Sequence, residues 1–155
     1  MRKLSPAGRI LGALLLAISL AACQTLGGTG LVASTVTTEL TPEAATSIAG
    51  DMVGRLAEQL GPGNTTIVLT PDGSVFGQAL EASLKGWGYA IVTDQQTKGT
   101  TTVPLAYVVD AFEGSVLVRL STRSVDITRM YKLSATSAEP VSPVSVMQRA
   151  TGGTS

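Results

Sequence analysis

Hydrophobic residues recur at two different periods along this chain, and the change of period divides it. Between residues 41 and 93, two stretches carry apolar residues every three or four positions, which is typical of amphipathic helices. Each is followed by a short β-branched run. Between residues 103 and 133, apolar residues alternate or run continuously, which indicates strands. The pattern therefore predicts the element order α-β-α-β-β-β-β.

Both predicted helices have recognisable starts. Thr41 can cap the first, with Pro42 at the first helical position and Glu43 facing the positive end of the helix. Asp72 or Ser74 can cap the second. The apolar stripe of the first helix comprises Ala45, Ile48, Ala49, Met52, Val53, Leu56, Ala57 and Leu60, and that of the second comprises Phe76, Ala79, Leu80, Leu84 and Trp87.

The predicted strands span residues 65–70, 89–93, 103–112, 115–122 and 125–133. Glu113-Gly114 is a good tight turn, so the last three strands read as an antiparallel meander. The expected fold is α+β, with two helices packed on one face of a mainly antiparallel sheet of about five strands, over residues 41–133. Phe76 and Trp87 are the expected aromatic anchors of its core.

The segments that flank this domain lack a sustained period. Residues 23–40 contain Gly27, Gly28 and Gly30, which predicts a flexible tether. Residues 134–155 are rich in Ser, Thr and Pro, which predicts a mostly disordered tail. Within that tail, Val141–Val144 is either a passive spacer or a short extended recognition segment.

The first 22 residues have the pattern of an export signal. Arg2 and Lys3 form a positive start, and the uncharged run "ILGALLLAISLAA" follows. A helix of its 13 residues rises only about 20 Å, short of the hydrocarbon core of about 30 Å. The run therefore predicts a signal peptide over residues 1–22 rather than a permanent membrane span.

The lone cysteine of the chain stands directly after this run. Leu20, Ala21, Ala22 and Cys23 resemble the lipobox of bacterial lipoproteins, in which the thiol receives a diacylglyceryl group and cleavage makes the cysteine the first residue. Two or more acyl chains anchor a protein stably. In enterobacterial lipoproteins an aspartate after the cysteine favours the inner membrane. Gln24 therefore indicates the outer membrane, on its periplasmic face, with the inner membrane as the alternative.

Composition removes several kinds of function. The chain has no histidine, and its one cysteine is assigned to lipid, so neither histidine-based catalysis nor a structural metal site is expected. Apart from three basic residues in the signal, the chain carries 8 basic and 11 acidic residues, which disfavours nucleic-acid binding. We expect no catalytic residues, cofactor or metal.

Two groups of charged residues leave alternatives open. Arg119, Arg123, Arg129 and Lys132 fall in the last two predicted strands, where they either form a solvated face or contact an anionic partner. That second possibility corresponds to a periplasmic module that binds peptidoglycan, glycan or lipid. An enzyme with paired carboxylates would require two of Asp110, Glu113 and Asp126 to meet.

The lipobox and three longer stretches together resemble a known family. With "PDGSVFGQALEASLKGWGYAIVTD", "PLAYVVDAFEGSVLVRLSTRSVDITRMYKLSA" and "EPVSPVSVM", the chain is similar to conjugal transfer protein TrbH. That family consists of small lipoproteins encoded with the mating-pair-formation apparatus of conjugative plasmids, a type IV secretion system. The resemblance transfers only the lipid-attachment cysteine, onto Cys23. It implies a non-enzymatic structural or assembly role, with other proteins of that apparatus as partners.

Overall fold

The computed structural model describes residues 33–70, 72–93 and 102–150, which form two α-helices and one sheet of eight strands. In chain order the elements are β1 (Thr35–Val36), α1 (Pro42–Gln59), a 3-10 turn (Pro62–Asn64), β2 (Thr66–Leu69), α2 (Val75–Gly86), β3 (Ala90–Val92), β4 (Thr102–Phe112), β5 (Ser115–Ser121), β6 (Val125–Leu133), β7 (Ala138–Pro140) and β8 (Ser145–Gln148). The predicted α+β fold is confirmed.

Both helices begin at side-chain caps. The Ala44 N–H donates to Thr41 Oγ1 at 3.2 Å, and the Gly77 N–H donates to Ser74 Oγ at 2.9 Å. Asp72 accepts from both the N–H and the hydroxyl of Ser74, so it holds the cap rather than forming it. A cap of this kind contributes about 1 kcal/mol to stability. The predicted helix starts are therefore confirmed.

The sheet is mixed, and its two longest strands, β4 and β6, each pair with three other strands. Its main order is β3-β2-β4-β5-β6-β7, with β2 parallel to both β3 and β4, and with β4, β5 and β6 as an antiparallel meander. β1 pairs in parallel with β4, while β7 and β8 both pair with the outer edge of β6. All five expected strands are present, as β2 to β6, but the expected count is corrected to eight, and the sheet is mixed because β1, β2 and β3 pair in parallel.

One face of the sheet carries both helices. Tyr107, Leu120 and Ile127 are register partners on β4, β5 and β6, so their side chains share that face, and all three are fully buried. On α2, Phe76 packs edge-to-face on Tyr107 with ring centroids 5.3 Å apart. On α1, Ser47 Oγ donates to the Ala138 carbonyl of β7 at 3.1 Å.

The two predicted aromatic anchors have different positions. Phe76 is 1% exposed and lies in the core, as expected. Trp87 is 49% exposed, so its predicted burial is wrong. It follows the last residue of α2, and its ring lies instead against Gly54 of α1, 3.4 Å from where a Cβ would stand.

The predicted tail is ordered as part of the sheet. Ala138–Pro140 pairs with Tyr131–Leu133, and Ser145–Gln148 pairs with Val125–Thr128. At the other end, Thr35–Val36 pairs with Val108–Val109, and Leu40 is 7% exposed. The expectation of a disordered tail is therefore corrected over residues 134–150, and that of a flexible tether over residues 33–40; residues 23–32 and 151–155 lie outside the described residues. Strand pairing with β4 and β6 orders segments whose own patterns are too short to indicate structure.

Candidate functional site

The predicted lipid-attachment site lies outside the described residues. Cys23, Leu20, Ala21 and Ala22 all precede residue 33, so the lipobox stays a prediction. Among residues 33–70, 72–93 and 102–150, no helix is long and apolar enough to cross a membrane.

The four basic residues do not share one surface. Arg119 is exposed on β5 and its register partner is Thr128, which places it on the same face as Lys132. Arg123 is exposed in the turn between β5 and β6. Arg129 lies on the opposite face, towards the helices, because side chains alternate along β6. The predicted basic cluster is therefore corrected: Arg129 is separate from the other three.

Arg129 instead belongs to a polar cluster at the contact between α1 and β6. Its Nη1 donates to both carboxylate oxygens of Asp51, at 3.0 and 2.8 Å, and Tyr131 Oη donates to Asp51 Oδ2 at 2.6 Å. The Arg129 and Asp51 side chains are 16% and 26% exposed. Burial, together with the neighbouring Asp51 carboxylate, raises the pKa of Tyr131 above its ordinary value.

The same arginine also holds the C-terminal segment. Arg129 Nε donates to the Ser142 carbonyl at 3.0 Å, and the Met130 N–H donates to Ser142 Oγ at 2.9 Å. Val141 N–H donates to the Met130 carbonyl at 2.9 Å. Arg129 thus connects α1, β6 and the link between β7 and β8, which gives it a structural role.

The three candidate carboxylates lie apart from one another. Asp110 and Asp126 face Leu117 and Ser121 on β5, four residues and so about 13 Å apart along that strand. Asp110 accepts a hydrogen bond from Thr37, Glu113 lies in the β4–β5 turn, and Asp126 is bound by Arg149 at 2.8 Å. Although burial raises the pKa of Asp126, Arg149 and Ser121 lower it to a net value below its usual range.

A metal-binding arrangement is likewise missing from the part of the chain that the structure describes. No group of three or more potential acidic or cysteine ligands occurs there. The paired carboxylates that an enzyme would require are not formed by Asp110, Glu113 and Asp126.

An open groove of about 480 Å³ runs along the exposed side of α1. Gly50, Gly54, Ala57 and Trp87 line the groove, and the Trp87 ring lies 3.4 Å from where a Cβ of Gly54 would stand. Asp51, Arg55 and Glu58 also line it, and Arg55 bonds Glu58 at 2.9 Å. The groove is a concave surface that is lined in part by apolar residues. Sequence reasoning missed it because it assigned Trp87 to the core and gave the two glycines no role.

Comparisons with known proteins identify relatives over most of the chain. The family model described as conjugal transfer protein TrbH matches residues 26–150. A protein of Sinorhizobium fredii described as "Probable conjugal transfer protein TrbH" is 49% identical over 135 residues, which cover 84% of this chain and 90% of that protein. No solved structure matches this chain.

Proposed function

We propose a function for this chain from one premise: it belongs to the family of conjugal transfer protein TrbH. A role in conjugative transfer follows from that membership. We infer further that the protein is a lipid-anchored structural or assembly component of the mating-pair-formation apparatus, a type IV secretion system. The observation that carries this proposal is the family match from residue 26, which starts three residues after the candidate acylation site Cys23.

The proposed anchor is the acylated Cys23 at the start of the mature protein. A single acyl chain binds membranes only marginally, whereas the several chains of a bacterial lipoprotein bind stably. Residues 24–32 then link the membrane to a domain that begins at β1. Since Gln24 follows the cysteine, we place the protein at the outer membrane, facing the periplasm.

The proposed role is non-enzymatic. Supporting it, the sequence has no histidine, and its one cysteine is assigned to lipid. The candidate carboxylates are spread over the sheet, and Asp126 is paired with Arg149. The alternative role is a module that binds peptidoglycan, glycan or lipid through the four basic residues, of which Arg119, Arg123 and Lys132 are exposed. Arg129 lies on the other face, bound to Asp51.

Metabolic labelling tests the anchor and its residue together. Cells that carry the conjugative plasmid are grown with labelled palmitate, and the protein is recovered by immunoprecipitation. We expect alkali-resistant label on the wild-type protein and none on Cys23→Ser. The wild-type protein should be recovered in the outer-membrane fraction, and the variant should not. Label that persists in Cys23→Ser would reject the assignment.

Gene deletion tests the role in transfer. Loss of the gene should lower the frequency of plasmid transfer to recipients, and the wild-type gene supplied in trans should restore it. Arg123→Ala is a matched control, because this side chain is exposed in the turn between β5 and β6, and the variant should complement fully. Normal transfer in the deletion strain would contradict the proposed function.

A further inference from the structure

Among the described residues, the outer edge of β8 presents main-chain groups that no other strand pairs with. The Arg149 N–H donates to the Ser124 carbonyl at 2.8 Å, which fixes which residues of the antiparallel ladder are bonded to β6. Because bonded and non-bonded pairs alternate, Met147 and Ser145 bond to β6, whereas Val146 and Gln148 turn their N–H and C=O groups outward. Within the described residues these outward groups have no main-chain partner.

The neighbouring β7 edge is closed by contrast. Its outward residues are Ala138 and Pro140, since Val141 N–H bonds inward to Met130. The Ala138 carbonyl accepts from Ser47 Oγ at 3.1 Å, and Pro140 has no N–H to offer. One half of this sheet edge is therefore protected against pairing, while the half formed by β8 is not.

The side chains of β8 also lack the usual protection of an edge strand. All four residues are exposed, with Val146 at 41% and Met147 at 58%. Natural edges are commonly blocked by lysine, other charges, proline or a bulge. β8 carries no charge, and the adjacent Arg149 is engaged with Asp126. The edge thus fits an extended, uncharged strand.

The edge is complementary to itself. In an antiparallel pair centred on Val146, that residue faces its copy, Gln148 faces Val144, and Met147 faces Ser145, so no like charges meet. The outward groups of Val144, Val146 and Gln148 then all find partners. Val144 and Val146 from both copies form one apolar row, and Val144 already packs against the core. A two-fold axis needs such a self-complementary surface.

We propose that β8 pairs with β8 of a second copy of this chain, antiparallel and centred on Val146, so that two sheets join into one. The occupant is a second copy because the uncharged segment matches its own pattern of donors, acceptors and apolar side chains. This dimer does not depend on the lipid anchor, since it uses only residues 144–148.

Cysteine crosslinking of the full-length protein in donor-cell membranes tests the proposal. At the axis, Val146→Cys places two Cα atoms about 5.5 Å apart, within the about 4.4–6.8 Å that a disulfide requires. Glu139→Cys on β7 is an exposed control far from the axis, and the parent chain reports any crosslink through Cys23. We expect the yield of disulfide-linked dimer from Val146→Cys to be at least roughly tenfold higher than the yield from either control.

The remaining outcomes decide against the proposal. A crosslinked product of another mass would mean that β8 pairs with a different protein, and equal dimer yields from Val146→Cys and Glu139→Cys would mean random collision.

As a second measurement, light scattering on the detergent-solubilised full-length protein should give a dimer for the wild type and a monomer for Val146→Lys, which places like charges side by side. Val141→Lys makes the same change at another exposed valine of this segment and should stay dimeric. A monomeric wild type would overturn the proposal.

Discussion

Arg129 on β6 and Asp51 on α1 form a two-bonded ion pair, with Nη1–O distances of 3.0 and 2.8 Å. The two residues are 78 positions apart in the sequence, and Tyr131 donates to the same carboxylate. Arg129 also reaches the Ser142 carbonyl beyond β7. This pair therefore joins the helical layer, the meander and the C-terminal segment at one point.

Replacing Arg129 should destabilise the fold. Arg129→Ala removes the closer of the two cations beside the partly buried Asp51 carboxylate, leaving Arg55 at 3.8 Å, and it frees the Ser142 carbonyl. We expect a loss of about 1–3 kcal/mol in the free energy of unfolding. Urea unfolding followed by circular dichroism measures it. Arg123→Ala removes an equal charge from an exposed turn and should change stability by less than about 0.5 kcal/mol. Equal effects of the two variants would contradict a structural role for Arg129.

The buried tyrosines should make stability fall in alkaline solution. Burial raises the pKa of Tyr107 and Tyr131 in the folded protein above the ordinary value of 10.0. Their contribution to the free energy of unfolding is therefore fully present below pH 10.0, where the hydroxyls keep their protons in both the folded and the unfolded protein. This contribution falls as the pH rises further, because the tyrosines ionise first in the unfolded chain. The double variant Tyr107→Phe, Tyr131→Phe should flatten this decline in denaturation curves measured on both sides of that pH. An unchanged slope would argue against buried, protonated hydroxyls.

Gly77, in the first turn of α2, should tolerate no larger side chain. A Cβ there would lie 2.5 Å from Tyr107 Oη and 2.6 Å from Asp72 Oδ1. Gly77→Ala should therefore cost about 1–3 kcal/mol through overpacking, although alanine favours helices. Gly50→Ala, in the middle of α1 with nothing within 4 Å, should instead stabilise the protein by up to about 1 kcal/mol. Thermal melts of both variants decide, and stabilisation by both would contradict the close packing at Gly77.

Removing the C-terminal strands should damage the whole domain. A chain that ends at Ser137 lacks β7 and β8, which exposes the edge of β6 and removes the partner of Asp126, Arg149. We expect a loss above about 4 kcal/mol, or failure to fold. Protease resistance and thermal melts measure the effect. Gln148→Ala breaks only the contact with Gln59 and should change stability by less than about 0.5 kcal/mol. A truncated chain as stable as the wild type would restore the disordered-tail interpretation.

Local signals were enough to predict much of the fold. Thr41 and Ser74 are caps whose partners lie three residues away, and β4 to β6 are long enough for alternation to be visible. β7 and β8 have three and four residues and stand on either side of Pro143. Their order comes from the edge of β6, so no local pattern could predict it.

The candidate site was less predictable because it depends on which face each side chain occupies. Arg129 lies between Ile127 and Tyr131 at the same parity of β6, and this spacing does place it on the apolar face. The alternation along β6 thus separates Arg129 from the other basic residues, whereas grouping the four by charge alone places them together. Its partner Asp51 could not be found from sequence, since the pairing depends on how α1 packs on the sheet.

We propose that this domain acts in conjugative transfer only when a lipid anchors it. The most direct test of this proposal exports the domain without the anchor, by replacing residues 1–23 with a cleavable secretory leader that leaves no cysteine. Mating frequency is measured in the deletion strain that carries this chain, with periplasmic abundance checked by immunoblot. We predict transfer at the level of the deletion strain despite normal abundance. Transfer at the wild-type level from the unanchored domain would contradict the claim.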